Sequence, residues 1–180
     1  MLLALDRSIL PPSYSVFSDD GTPLVVNGNF TPAAMPVPTR IAVAVGPGSF
    51  SGIRSALAFA QGLALPVGAQ VIGIPTPAAI WRAFAHEHPG TKSGIVVGDA
   101  RRGKLWIWRS AETPETPPRL IGAGDIAQIA ETTVVTPDFN RLGARFPAAF
   151  PAPPISRAVG ELALEGVSLT PLPVYLTEAV

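Results

Sequence analysis

The chain contains no cysteine, which removes disulfides, thiol catalysis and cysteine-ligated zinc. Charge is sparse and balanced: 13 Lys and Arg face 13 Asp and Glu, a formal net charge of zero over 180 residues. A protein gripping nucleic acid through a broad basic surface would not have this balance, so an autonomous nucleic-acid binder is not expected. The only histidines, His86 and His88, lie two apart and do not share a helix face, so no metal site is expected. Long apolar runs are also missing. Asp6 ends the run Leu2–Leu5 before it could form a signal segment, and nothing approaches the length of a membrane span. The expectation is a cytoplasmic protein without membrane association.

What the chain does have is apolar bulk, 47% of its residues, with 17 glycines and 21 prolines. That is enough to build a sizeable core interrupted by irregular connections. Leu2–Leu5, Ser13–Phe17 and Pro23–Val26 read as strands, the last two joined by a turn at Asp19-Asp20-Gly21. Ile41–Val45 and Gln70–Ile74 are further strands. Thr76-Pro77 reads as the cap and first residue of a helix running to about Glu87. The loop His88–Lys92 divides a first lobe, 1–88, from a second, 89–180. In the second lobe, Gly94–Gly98 and Leu105–Arg109 form a hairpin around the charged turn Asp99–Gly103. Asp125 is expected to cap a helix through Ile126, Ile129 and Ala130, followed by a strand at Thr132–Thr136. Residues 137–150 show no assignable pattern. Ser156 is expected to cap a last helix, Arg157–Glu165, which could pack back on the first lobe; an extended end follows.

The most informative stretch follows the strand Ile41–Val45: Gly46-Pro47-Gly48-Ser49-Phe50-Ser51-Gly52-Ile53-Arg54. It reads as strand, glycine loop, helix. The glycines permit close backbone approach, Ser49 or Ser51 can cap the helix, and the free N–H groups of the helix start favour an anion. A tight turn that only packs would use the same chemistry, and both readings stand. The loop is neither a phosphate-binding loop, because no Lys follows Gly52, nor a dinucleotide fingerprint, because its third glycine comes one residue late. The following helix puts Ile53, Ala56, Leu57 and Ala60 on one stripe with Leu63 and Ala64. That stripe can bury against the chain's own sheet or against a partner.

At this loop the sequence resembles the TsaB (YeaZ) family of tRNA threonylcarbamoyladenosine biosynthesis proteins. The resemblance rests on Ala44–Arg54 with Ala58-Phe59-Ala60-Gln61-Gly62-Leu63-Ala64. Three further segments agree in order: Leu3-Ala4-Leu5-Asp6-Arg7-Ser8, Val97–Trp106, and Pro173-Val174-Tyr175-Leu176. The resemblance implies an α/β, two-lobed actin-like ATPase (ASKHA) fold, with mixed sheets flanked by helices and a cleft between the lobes. It further implies a non-catalytic subunit, carrying older glycoprotease (M22) labels, that stabilises and activates the TsaD transferase in modifying adenosine 37 of tRNA. The TsaE ATPase completes that assembly. On this reading Ile53, Ala56, Leu57 and Ala60 face a partner, in a heterodimer or homodimer. Gly46, Gly48, Ser49, Phe50, Ser51, Gly52 and Arg54 shape the loop or bind an anion, and Asp6, Asp99 and Arg101 face the cleft. No cofactor is expected. The alternatives are a nucleotide-binding enzyme holding Mg-ATP with Asp6, the Gly46–Gly52 loop and Asp99, and a homodimeric scaffold that has lost its partner. Two departures stand out: Arg7 occupies the place of a small hydroxyl residue, and the proline-rich interval 28–39 is too short for the amphipathic helix the family places there.

Overall fold

The computed structural model describes residues 1–29, 37–129, 133–146 and 148–176. Leu2–Asp6 (β1), Ser13–Phe17 (β2) and Pro23–Asn29 (β3) form an antiparallel meander. Arg40–Ala44 (β4) and Gln70–Ile74 (β5) add parallel strands on the far side of β1, giving the order β3-β2-β1-β4-β5. Ile95–Arg101 (β6), Lys104–Arg109 (β7) and Arg119–Gly122 (β8) make a second antiparallel meander. Val134–Thr136 (β9) and Ala149–Pro151 (β10) extend it with parallel pairing, in the order β10-β9-β6-β7-β8. The second half of the chain thus repeats the strand order of the first. The helices repeat as well. Phe50–Ala64 (α1) joins β4 to β5 and Thr76–Glu87 (α2) follows β5. The short Phe139–Leu142 (α3) joins β9 to β10 and Ser156–Leu164 (α4) follows β10.

Alternation along the strands sorts side chains to opposite faces. In β1, Leu3 and Leu5 point outward under α1, where Ile41, Val43 and Val45 join them. Leu2 and Ala4 point inward with Ala42, Ala44, Ile72 and Ile74. That inner face meets α2 and α4, and the same apolar cluster continues into Val96, Trp106, Trp108 and Val135 of the second sheet. The outer face of the second sheet is closed by Ile129, Leu142 and Phe146. The molecule is therefore layered as α1, first sheet, α2 with α4, second sheet, and a short helical cover. Although α4 lies in the second half of the sequence, it packs across the strands of the first sheet.

Several local expectations give way to tertiary demands. Thr76 does not cap α2: the cap is Pro75, without a side-chain bond, and the Thr76 hydroxyl turns into a buried network. Ser156 is the first residue of α4, and its hydroxyl donates to Asn27 Oδ1 at 3.0 Å; that oxygen also accepts the Arg157 N–H at 3.0 Å. The N-terminus of α4 is thus capped from β3, by an Asn whose φ of 46° suits that residue type. Asp125 accepts from the Gly122 N–H at 3.1 Å, and the segment Ala123–Ile129 is a 3₁₀ helix. β8, and the α3–β10 unit that begins inside 137–150 and ends at Pro151, carry no strong periodicity and are found only in the fold. Residues 30–36, where the short proline-rich interval falls, and Ala130 lie outside the described residues.

Candidate functional site

The carboxyl ends of β1 and β6, equivalent strands of the two sheets, open onto a common cleft of about 730 Å³. The glycine loop forms one wall through Gly48, Ser49, Phe50 and Ser51. Asp99, Ala100 and Arg101 form another, joined by Pro137 and Asp138. Of the expected residues, the structure thus gathers Gly48, Ser49, Phe50, Ser51, Asp99 and Arg101 around one space. Ser8, Leu10, Trp106 and the C-terminal Val174, Tyr175 and Leu176 also line it.

Ser49 caps α1, its side chain accepting from the Gly52 N–H at 3.2 Å. The Ser49 N–H itself donates to the Ser8 carbonyl at 2.7 Å. The chain leaving β1 therefore lies directly on the glycine loop. A Cβ at Gly48 would stand 2.4 Å from the Ser8 carbonyl oxygen, and one at Gly52 would stand 1.9 Å from that of Arg7. Both glycines are required by this backbone-on-backbone contact. Arg7 contributes its carbonyl here, whatever its side chain does.

Beneath this contact lies a directional chain of hydrogen bonds. The Gly46 N–H donates to Thr76 Oγ1 at 3.0 Å, Thr76 Oγ1 to Ser8 Oγ at 3.1 Å, and Ser8 Oγ to Asp6 Oδ1 at 2.6 Å. The Ser8 N–H donates to the same oxygen at 2.7 Å. Asp6 was expected to face the cleft; it is instead wholly buried under the cleft floor, and its Oδ2 has no hydrogen-bond partner. Burial pushes its carboxyl up to about 7, against the opposing pull of the Ser8 hydrogen bonds. In the protonated carboxyl the free position is Oδ2, since Oδ1 already accepts twice.

The opposite wall is an ion-pair cluster. Asp99 Oδ2 pairs with Arg141 and stands 3.7 Å from Arg101 Nη1, while the Asp99 N–H donates to Asp138 Oδ2 at 2.9 Å. Arg101 and, behind the wall, Arg141 therefore both face a carboxylate within the chain. Arg141 and Asp138 lie in the stretch without legible periodicity, which is why the sequence did not single them out. Arg54 sits outside the cleft mouth with its guanidinium 5.1 Å from the Phe50 ring centroid. His86 is 3.3 Å from Glu161, and His88 stacks on Phe84 at 4.3 Å.

The expected partner stripe is corrected by the fold. Ala56 and Ala60 are wholly buried and Ile53 and Leu57 nearly so, all against the outer face of the first sheet. Their side chains cannot meet another protein without unfolding this one. The exposed side of α1 carries Phe50, Ser51, Arg54, Ala58, Gln61 and Gly62, with Leu65 just beyond it.

The family model described as "TsaD: tRNA N6-adenosine threonylcarbamoyltransferase" matches residues 34–118. Among solved structures, YeaZ from Pseudomonas aeruginosa matches with a TM-score of 0.73 at 21% identity, covering 97% of this chain and 99% of that one. A protein described as similar to peptidase YeaZ from Pseudomonas aeruginosa matches with a TM-score of 0.71 at 20% identity, covering 98% and 99%. No curated protein matches the chain by sequence. The resemblance read from the glycine loop is borne out at the level of fold: the described residues form a YeaZ-like α/β fold with two mixed five-stranded sheets flanked by helices.

Proposed function

We propose that this chain is a TsaB (YeaZ)-type subunit of the machinery that installs N6-threonylcarbamoyladenosine on tRNA, and that it acts by binding and activating a TsaD-type transferase. The observation that carries this reading is the end-to-end structural match to YeaZ, together with the TsaD family match over the glycine loop, α1 and α2. The site chemistry supports a non-catalytic role. The loop's Gly46, Ser49 and Gly52 amides are engaged within the chain, Asp6 is sealed from the cleft, and Arg101 and Arg141 face Asp99. The exposed side of α1 is the partner surface, with Ala58 and Gln61 on it and Leu65 at its C-terminal end. TsaE completes the assembly, and tRNA is met only indirectly.

The test is co-expression with the TsaD paralogue of the same cell, read by size-exclusion chromatography with light scattering. A 1:1 complex is expected, weakened at least ten-fold by Ala58→Arg or Leu65→Arg while thermal unfolding stays as in the parent. Separate peaks for the parent proteins defeat the reading. A second reading, a nucleotide-binding protein, draws on the size of the cleft and on the glycine loop facing Asp99 across it. Calorimetry with Mg-ATP decides it: absence of heat removes it.

A further inference from the structure

The C-terminal segment after α4 returns to the first lobe along the carboxyl edge of its sheet. Leu169 exchanges two backbone hydrogen bonds with Gly73, at 2.8 and 3.0 Å, and Val174 donates to the Val45 carbonyl at 2.8 Å. Between these anchors, Pro171 and Pro173 have no N–H to offer a strand. The sheet is shaped to receive this segment. A Cβ at Gly73 would stand 2.8 Å from the Thr170 carbonyl oxygen, and one at Gly46 would stand 3.2 Å from that of Val174. Tyr175 then lies over Phe50 at the start of α1, with ring centroids 5.7 Å apart, and the two residues are 54% and 57% exposed.

Seat and grip are mismatched. Two glycine notches fix the path closely, yet among the described residues only three backbone bonds tie the segment to the sheet. Its aromatic contact is half solvated, and Leu169, Val174 and Leu176 pack against the core only partly buried. Elements with few buried contacts and few backbone bonds open at a small fraction of the global unfolding free energy. The segment also forms part of the cleft wall through Val174, Tyr175 and Leu176, next to the glycine loop. We propose that residues 169–176 are a displaceable strap that gates the interlobe cleft: seated, it lays Tyr175 against Phe50 and occupies the Val45 carbonyl; released, it widens the cleft on its glycine-loop side while both sheets stay folded.

Native-state hydrogen exchange on the full chain tests this without partner or tRNA. The Leu169 and Val174 amides are expected to exchange at least about ten-fold faster than those of Ile41–Ala44, with little dependence on denaturant. Val174→Pro, which deletes the donor to Val45, is expected to raise the fluorescence of the apolar dye 8-anilinonaphthalene-1-sulfonate several-fold with an unchanged far-UV spectrum. Tyr175→Ala, which keeps all three backbone bonds, gives a smaller rise of the same sign. The proposal is overturned if the strap amides exchange only with global unfolding. It is also overturned if both variants leave the dye signal at the parent level, or if either variant melts the sheets; the segment is then a fixed wall.

Discussion

Asp6 holds its proton to about pH 7 in the folded chain, against 3.8 as a free carboxyl. The folded state therefore binds more protons than the unfolded one between these values. Stability from this residue is fully present below about pH 4 and is lost as pH rises to about 7, after which it no longer changes. Asp6→Asn, which keeps an oxygen for the Ser8 donors, is expected to flatten that slope in denaturant midpoints measured across the window. An unchanged slope would assign it to other groups. A matched pair of glycines tests the loop. Gly52→Ala places a methyl 1.9 Å from the Arg7 carbonyl oxygen and is expected to cost 2 kcal/mol or more, roughly the scale of forced backbone shifts. Gly62→Ala, on the exposed side of α1 with nothing within 4 Å, is expected to stabilise by about 0.5–1 kcal/mol. Chemical denaturation compares the two directly, and equal effects would mean that the β1 exit does not rest on the loop as described.

At the scale of elements, α1 and α4 make opposite statements about sequence. The α1 stripe was legible in full, because its period of 3.6 and the Ser49 cap are local properties. Which body covered the stripe was not legible, since alanines suit a close approach by the chain's own sheet and by another protein alike. Ala60→Arg, aimed at a wholly buried position, is accordingly expected to abolish folding, not assembly; a folded A60R protein would return that face to the surface. The N-terminus of α4 depends on Asn27, 129 residues away from Ser156. Asn27→Gly keeps the positive φ without strain and deletes the cap, so a loss of about 1 kcal/mol is expected by thermal or chemical unfolding. No window of sequence contains that pairing. The same holds for Thr76, where a good local cap residue was recruited by Gly46 and Ser8 instead. Asp99 and Arg101 were legible as a charged turn, but Arg141 was not, because the ion pair is made across two segments.

For the whole molecule, the shared cluster between the two sheets decides how the chain unfolds. Trp81 packs against that cluster and Trp106 and Trp108 lie within it, alongside residues of both sheets, α2 and α4. Tryptophan fluorescence and far-UV circular dichroism are therefore expected to follow one coincident transition; separated midpoints would show the halves unfolding independently. The repeated strand order, meander then two parallel strands, was only partly visible beforehand, since the weak β8 and β10 hid the second copy. The glycine loop, read through a known family, supplied the architecture that periodicity could not. The placement of α4 carries a consequence for synthesis. A nascent chain that has extruded all of β1 to β5 and α2 still has its first sheet bare on part of one side until residues 156–164 leave the ribosome. Translation thus runs through most of its course with apolar strands awaiting a late helix, and this is the interval in which a chaperone would find this protein.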